Sequence, residues 1–207
     1  MVAFTGRPMP RRRIEGRWYE GMRLDGYFAI GERRTRPPEA TDIELKHQHA
    51  VVVMLAERFD AILPVRFGAM TSRAMLAEMS QRLAGPLGAG LEEVRGKSQM
   101  TVRFIGKPGP VVAEREPAQS GREYLLRRQA AATPDLSAEA RAWLGPLRAL
   151  AARERIEVGA GSVLATVYHL VPKGDLDRYR MAASHAENVG ARVTGPFPPF
   201  AFTPAVL

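Results

Sequence analysis

Four histidines and seven serines, with no cysteine, bound the side-chain chemistry open to this 207-residue chain. Without cysteine there is no disulfide, thiolate nucleophile, Cys-based zinc site or iron–sulfur ligation, which suits a reducing cytoplasm. His47 and His49 stand two apart in a helical pattern, so they face different directions and cannot share one metal as an i, i+4 pair could. His169 falls in an apolar strand pattern and His185 on a polar helix face, with no cluster of ligand spacing around either. Both are expected to be hydrogen-bonded or surface residues. No serine sits in a Gly-x-Ser-x-Gly elbow, and Asp175 with Asp177 reads as an acidic first turn facing a helix dipole.

Gly90-Leu-Glu-Glu-Val-Arg-Gly-Lys-Ser98 imitates a phosphate-binding loop and fails on two counts. Five residues, where the loop needs four, separate its first glycine from Gly96-Lys97, and it runs from helix to strand instead of strand to helix. Its two glutamates would also repel phosphate. No catalytic, cofactor-binding or metal-binding constellation is therefore assigned, and the chain is read as a non-enzyme. The run Gly195-Pro-Phe-Pro-Pro-Phe-Ala-Phe202 is different, because its prolines and aromatic rings make a stiff segment that holds the rings at set positions. Since it continues a strand, its rings are expected to pack on the sheet of their own domain, at least two of Phe197, Phe200 and Phe202 inside it.

The net charge of +8 is concentrated at the start of the chain. Residues 1–36 hold nine arginines against four acids, so 9 − 4 = +5 lies there and +3 in all the rest. A basic segment without a recognition motif is read as solvated or partner-docking, with binding to nucleic acid or an anionic surface as the second reading. No apolar run approaches the roughly 20 residues of a membrane-spanning helix, and MVAFTGRPMPRRR lacks the apolar stretch of a signal peptide.

Positioning elements follow from periodicity and caps. Residues 1–40 read as an Arg/Pro-rich leader with one possible strand at Gly26-Tyr-Phe-Ala-Ile30. Leu45, Val52, Leu55 and Phe59 recur at helical spacing, with Thr41 and Glu44 as a capping box. Ala61-Ile-Leu-Pro-Val-Arg-Phe-Gly68 reads as a strand in which Pro64 marks an edge or bulge. In the next helix, capped by Thr71 or Ser72, the face is Met75, Leu76, Met79 and Leu83, with Gly85-Pro86 as a kink or interruption before a piece ending at Val94. Gln99 to Ile105 alternates as a strand, and 107–119 reads as a linker between domains at 41–106 and 120–207. Beyond it, the spacing predicts a helix from Ser120 with Tyr124 and Leu125. A second helix follows, capped by Asp135 or Ser137 and bent at Gly145-Pro146, then a strand from Ser162 to Val171 buried on both faces. A helix from Asp175 with Leu176 and Tyr179 inward, Gly190 as its cap, and a strand at Ala191-Arg-Val-Thr194 complete the pattern.

Three stretches together resemble the gas vesicle protein GvpL/GvpF family. They are His49-Ala-Val-Val leading into Ile62-Leu-Pro-Val-Arg-Phe-Gly68, Ser120-Gly-Arg-Glu-Tyr-Leu-Leu-Arg-Arg128, and Leu170-Val-Pro172 with the closing Gly195 to Phe202 run. The resemblance covers about residues 42–207. Phe197 and Phe200 replace the family's usual Trp and Tyr, and Gln99 stands where Glu is frequent.

That resemblance implies an α+β fold of two small domains, the first ferredoxin-like and the second helix-rich with a small sheet. It also implies a non-enzymatic, cytoplasmic role, without a cofactor, in building gas vesicles. Its partners would be the major shell subunit and other gas vesicle accessory proteins. The signature residues it selects are His49, Pro64, Arg66, Phe67, Tyr124, Phe197, Phe200 and Phe202. Strand alternation sends Arg66 to the face opposite Val65 and Phe67, so if that face is covered its guanidinium must be paired.

Overall fold

The structure, a computed structural model, describes residues 1–106 and 136–204. The chain forms two compact units, one of Met1–Gln99 with the chain from Phe197 on, the other of Met100–Pro196. The expected linker at 107–119 and the helix from Ser120 with Tyr124 lie outside the described residues.

Residues 1–40 are not a leader with a single strand. They supply β1 (Ala3–Thr5), β2 (Arg12–Ile14), β3 (Arg17–Arg23) and β4 (Phe28–Gly31), which join β5 (Ile62–Pro64) in a sheet of order β2-β3-β4-β1-β5. Two physical features hide these strands in the sequence. β1 and β2 are three residues long, and Arg12 and Arg13 of β2 are exposed. The β2–β3 turn is Glu15-Gly16, both at positive φ (47° and 80°) between the paired Ile14 and Arg17. This is a two-residue hairpin geometry that Asn-Gly usually announces.

The sheet lies between two helices. α1 (Asp42–Arg58) starts where Thr41 accepts a hydrogen bond from the Glu44 amide, and its Val51, Val52 and Leu55 join Ala3, Tyr19 and Ile30 in one core. Phe4 and Leu63, paired in register, face the other way, where Leu63 lies against Gly90 of α2 (Arg73–Val94). Ser72 caps α2 by accepting from the Met75 amide. The helix continues through Pro86, so of the kink or interruption expected there the interruption does not occur, because Leu76, Leu83, Leu87, Leu91 and Val94 form one continuous buried stripe across it. Met75, expected inward, is 51% exposed. Gly88 admits the Tyr27 hydroxyl, which donates to the Ala84 carbonyl at 2.8 Å and lies 2.6 Å from where a Cβ would stand.

The second unit contains β6 (Lys97–Ile105) from Met100 on, α3 (Ala138–Ala149), β7 (Arg153–Val158), β8 (Val163–Pro172), α4 (Leu176–Ala182) and β9 (Ala191–Phe197) up to Pro196, with sheet order β7-β8-β6-β9. A βαββαβ succession whose first and third strands sit in the middle of the sheet is the ferredoxin-like arrangement. The ferredoxin-like order therefore belongs to the second unit, not the first, where the β1–β4 strands precede any helix. The expected α+β class holds, with two antiparallel sheets. The core joins Met100, Val102 and Phe104 to Leu144 and Leu147 of α3, Val167 and Val171 of β8, and Tyr179 of α4. Ser137 caps α3 by accepting from the Ala140 amide. β7 escapes a hydropathy reading because Arg-Glu-Arg-Ile-Glu-Val is mostly charged and exposed. No described helix is long and apolar enough to cross a membrane.

Leu87→Ala in the middle of the α2 stripe should cost about 2–5 kcal/mol, whereas Met75→Ala at the exposed position should stay within about 0.5 kcal/mol. Urea unfolding of the two variants tests the assignment of the helix face.

Candidate functional site

The last residues of the chain bring three distant parts of the sequence to one place in the first unit. The Phe200 ring stacks on His49 of α1, with centroids 5.9 Å apart and planes at 17°, and Phe197 meets the same imidazole edge-on at 6.4 Å. The short turn Phe200–Phe202 is fixed by its backbone and by one buried ring. The Ala201 amide donates to Gln99 Oε1 at 2.8 Å, Thr203 Oγ1 donates to the Pro64 carbonyl at 3.1 Å, and Phe202 is buried. Gln99 thus supplies the acceptor that a glutamate would also supply. The expectation that the rings pack inside the second domain is overturned: they belong to the first unit, and Phe202 alone of the three is buried.

Phe200 remains 39% exposed and Leu45, one turn before His49 on α1, 42% exposed. Residues four apart on a helix share a face, so Leu45, His49, Phe200 and Phe197 form a small apolar and aromatic surface over a rigid base. Of the other signature residues, Pro64 lends its carbonyl to this base. Arg66 does not sit in the strand, which ends at Pro64; it is exposed and, among the described residues, makes no ion pair, so the condition for a buried pair is not met. Phe67 is half-buried and lines a cleft. Tyr124 lies outside the described residues.

That cleft, about 470 Å³, is bordered by Tyr19, Glu20, Glu32, Arg33, Arg34, Glu44, His47 and Arg73. Arg17 grips Glu44 with both terminal nitrogens at 2.8 and 2.5 Å, and Arg34 bridges Glu44 at 3.0 Å and Glu32 at 2.7 Å. Hydrogen bonding by Arg17, seconded by Arg34, pulls the Glu44 carboxyl from 4.5 to about 2. Burial pushes Tyr19 up to about 12 and His47 below its usual value, so neutral His47 accepts the Tyr19 hydroxyl at 2.9 Å. The arginines and glutamates neutralise one another, and what they accomplish is to tie β3 and the segment after β4 to α1. Residues at 17, 32, 34 and 44 have no mutual spacing that a motif search could detect.

Residues 27–204 match the model of the family described as gas vesicle synthesis protein GvpL/GvpF. The chain belongs to the GvpL/GvpF family. Its fold is similar to the crystal structure of the gas vesicle protein GvpF from Anabaena sp. PCC7120, with a TM-score of 0.71, 14% identity, and 98% of this chain and 94% of that chain covered. It is similar also to GvpF from Microcystis aeruginosa, with a TM-score of 0.73, 12% identity, and 98% and 97% covered. At these identities the likeness is one of fold. No curated protein sequence matches the chain. The family match begins at residue 27, so β1, β2 and β3 precede it.

The second unit of this GvpL/GvpF member holds a polar chain, exposed at Arg148 and buried at His169 and Tyr179, that resembles a catalytic triad in composition. Arg148 donates from Nε to Glu154 Oε2 at 2.8 Å, and the same oxygen lies 2.8 Å from His169 Nε2. His169 Nδ1 lies 2.6 Å from the Tyr179 hydroxyl. An ionised carboxylate only accepts, so Nε2 carries the imidazole proton and Nδ1 accepts from Tyr179. His169 and Tyr179 are fully buried, and burial raises the Tyr179 pKa. A hydroxyl held neutral and away from solvent is not a nucleophile; the chain joins β7, β8 and α4. This is the hydrogen-bonded histidine that its apolar strand predicts.

Burial lowers the His169 pKa below 6.5, and Glu154 is lowered below 4.5 by hydrogen bonds from Arg148 and His169 that outweigh its own burial. Both groups bind protons more readily unfolded than folded. Their stabilisation is complete above pH 6.5 and is lost first as pH falls through His169 and again below 4.5. His169→Gln should abolish the first loss and retain the second in thermal melts between pH 8 and 3.

Proposed function

We propose that the chain acts in gas vesicle assembly as a non-enzymatic binding protein for the major shell subunit and, with it, for other accessory proteins. Membership of a gas vesicle synthesis family supports the assembly role. The observation that carries the binding reading is the surface of Leu45, His49, Phe197 and Phe200, where family-like motifs from distant parts of the chain converge and leave apolar and aromatic atoms in water.

Shells that are wetted outside and hydrophobic within are built from a subunit that exposes apolar surface until it enters a growing rib. Such a subunit aggregates if unescorted. Covering it needs an apolar patch of fixed shape and no chemistry. The base under Phe200 supplies the fixed shape, since its backbone is held through Gln99 and Pro64. Ordering costs that a loose tail would incur on binding are met on folding instead.

The test is co-expression with the major shell subunit, reading how much of that subunit stays soluble and co-purifies. Phe200→Ala with His49→Ala should reduce co-purification about tenfold or more, as loss of aromatic anchors does, while the melting temperature changes little because both residues are exposed. Undiminished co-purification by that variant, or none by the unaltered chain, would contradict the proposal.

A further inference from the structure

Seven of the nine arginines of residues 1–36 fall into two groups in the folded chain. Arg17, Arg33 and Arg34 are paired with Glu44, Glu20 and Glu32, and Arg7 lies 3.7 Å from Asp60. Arg11, Arg12 and Arg13 are exposed and, among the described residues, pair with no carboxylate; Arg13 donates from Nε to the Gly16 carbonyl at 3.0 Å. The hairpin register sets Arg13 opposite Trp18, so both side chains leave the same face. Arg11 holds its guanidinium 4.9 Å from the centre of the Trp18 ring, and Trp18 is 53% exposed.

We propose that Arg11, Arg13 and Trp18 form a docking surface for an acidic segment of a partner protein. Carboxylates of that segment meet the two guanidinium groups, and one of its apolar side chains lies on the indole. Charge complementarity selects the sign of the occupant. The surroundings select a polypeptide: the exposed Glu15 stands at the hairpin tip between the two strands, while Glu20, next along the Trp18 side of β3, already has its charge met by Arg33 and Arg73. A phosphate backbone, charged at every nucleotide, would run into the Glu15 carboxylate, while an acidic peptide with neutral residues between its charges avoids it. Strand addition is not the mode, because β2 is three residues long and Pro8 and Pro10 precede it. Side chains carry the recognition. The surface shares no residue with Leu45, His49, Phe197 and Phe200, and the proposal does not depend on shell-subunit binding.

The test uses the full chain and fluorescence anisotropy of a labelled peptide in which glutamates alternate with leucine. A lysine counterpart, single-stranded oligo-dT and phosphatidylserine vesicles serve as competitors. The acidic peptide should bind with a Kd below about 1 mM at low salt and weaken as salt rises. Arg11→Gln with Arg13→Gln, and separately Trp18→Ala, should each weaken it about tenfold, and Arg141→Gln, an exposed arginine of the other unit, should not. Absence of binding at about 1 mM, equal binding by the Arg11/Arg13 variant, or tighter binding of oligo-dT or vesicles would overturn the proposal.

Discussion

The first unit depends on residues that arrive last. Its sheet is begun by residues 3–5 and its helices end at Val94, yet the chain from Phe197 to Thr203 donates to the Pro64 carbonyl and the Gln99 side chain and covers one face of His49. Each such hydrogen bond contributes about 0.5–1.5 kcal/mol net, and with Phe202 buried beside them the closing run is part of the unit's structure and not a tail. This one constraint explains why prolines crowd the run. They lower the conformational entropy lost when a terminal segment is ordered, and they present Phe197 and Phe200 to one imidazole while Phe202 is buried.

A second set of forces acts where the hydrophobic signal is weak. β2 and β3 carry Arg12, Arg13, Arg17, Glu20 and Arg23, too polar a pattern to stand out as sheet. Their attachment relies on Tyr19 and Ile14 in the core and on Arg17 and Arg34 clasping Glu44. Exposed ion pairs contribute little singly, but bidentate and shared ones fix geometry. The same arithmetic separates neutralised arginines from those of the hairpin, a distinction that net charge alone conceals.

Legibility of the sequence followed the strength of local signals. α1, α2 and α3 were readable from Thr41, Ser72 and Ser137, because a capping side chain and apolar periodicity act within a few residues. β8 was readable because it is buried on both faces. β1, β2 and β7 were not, being short or charged and held by partners far along the chain. Of the kink or interruption read at Gly85-Pro86, the interruption does not occur, since a local helix breaker is overridden when Leu83 and Leu87 on both sides are buried. The motif residues His49, Pro64, Phe197 and Phe200 could be singled out by resemblance, but their meeting place could not, as it requires contacts more than 100 residues apart.

In the proposed role, the aromatic surface of Leu45, His49, Phe197 and Phe200 on the first unit is the point of contact with the shell subunit. The most direct measurement places a photo-crosslinking amino acid at position 200 in cells assembling gas vesicles, with position 181, where Met181 is 76% exposed on the second unit, as the control. A crosslink to the major shell subunit is expected from position 200 and not from 181. Crosslinking from 181 with none from 200 would contradict it.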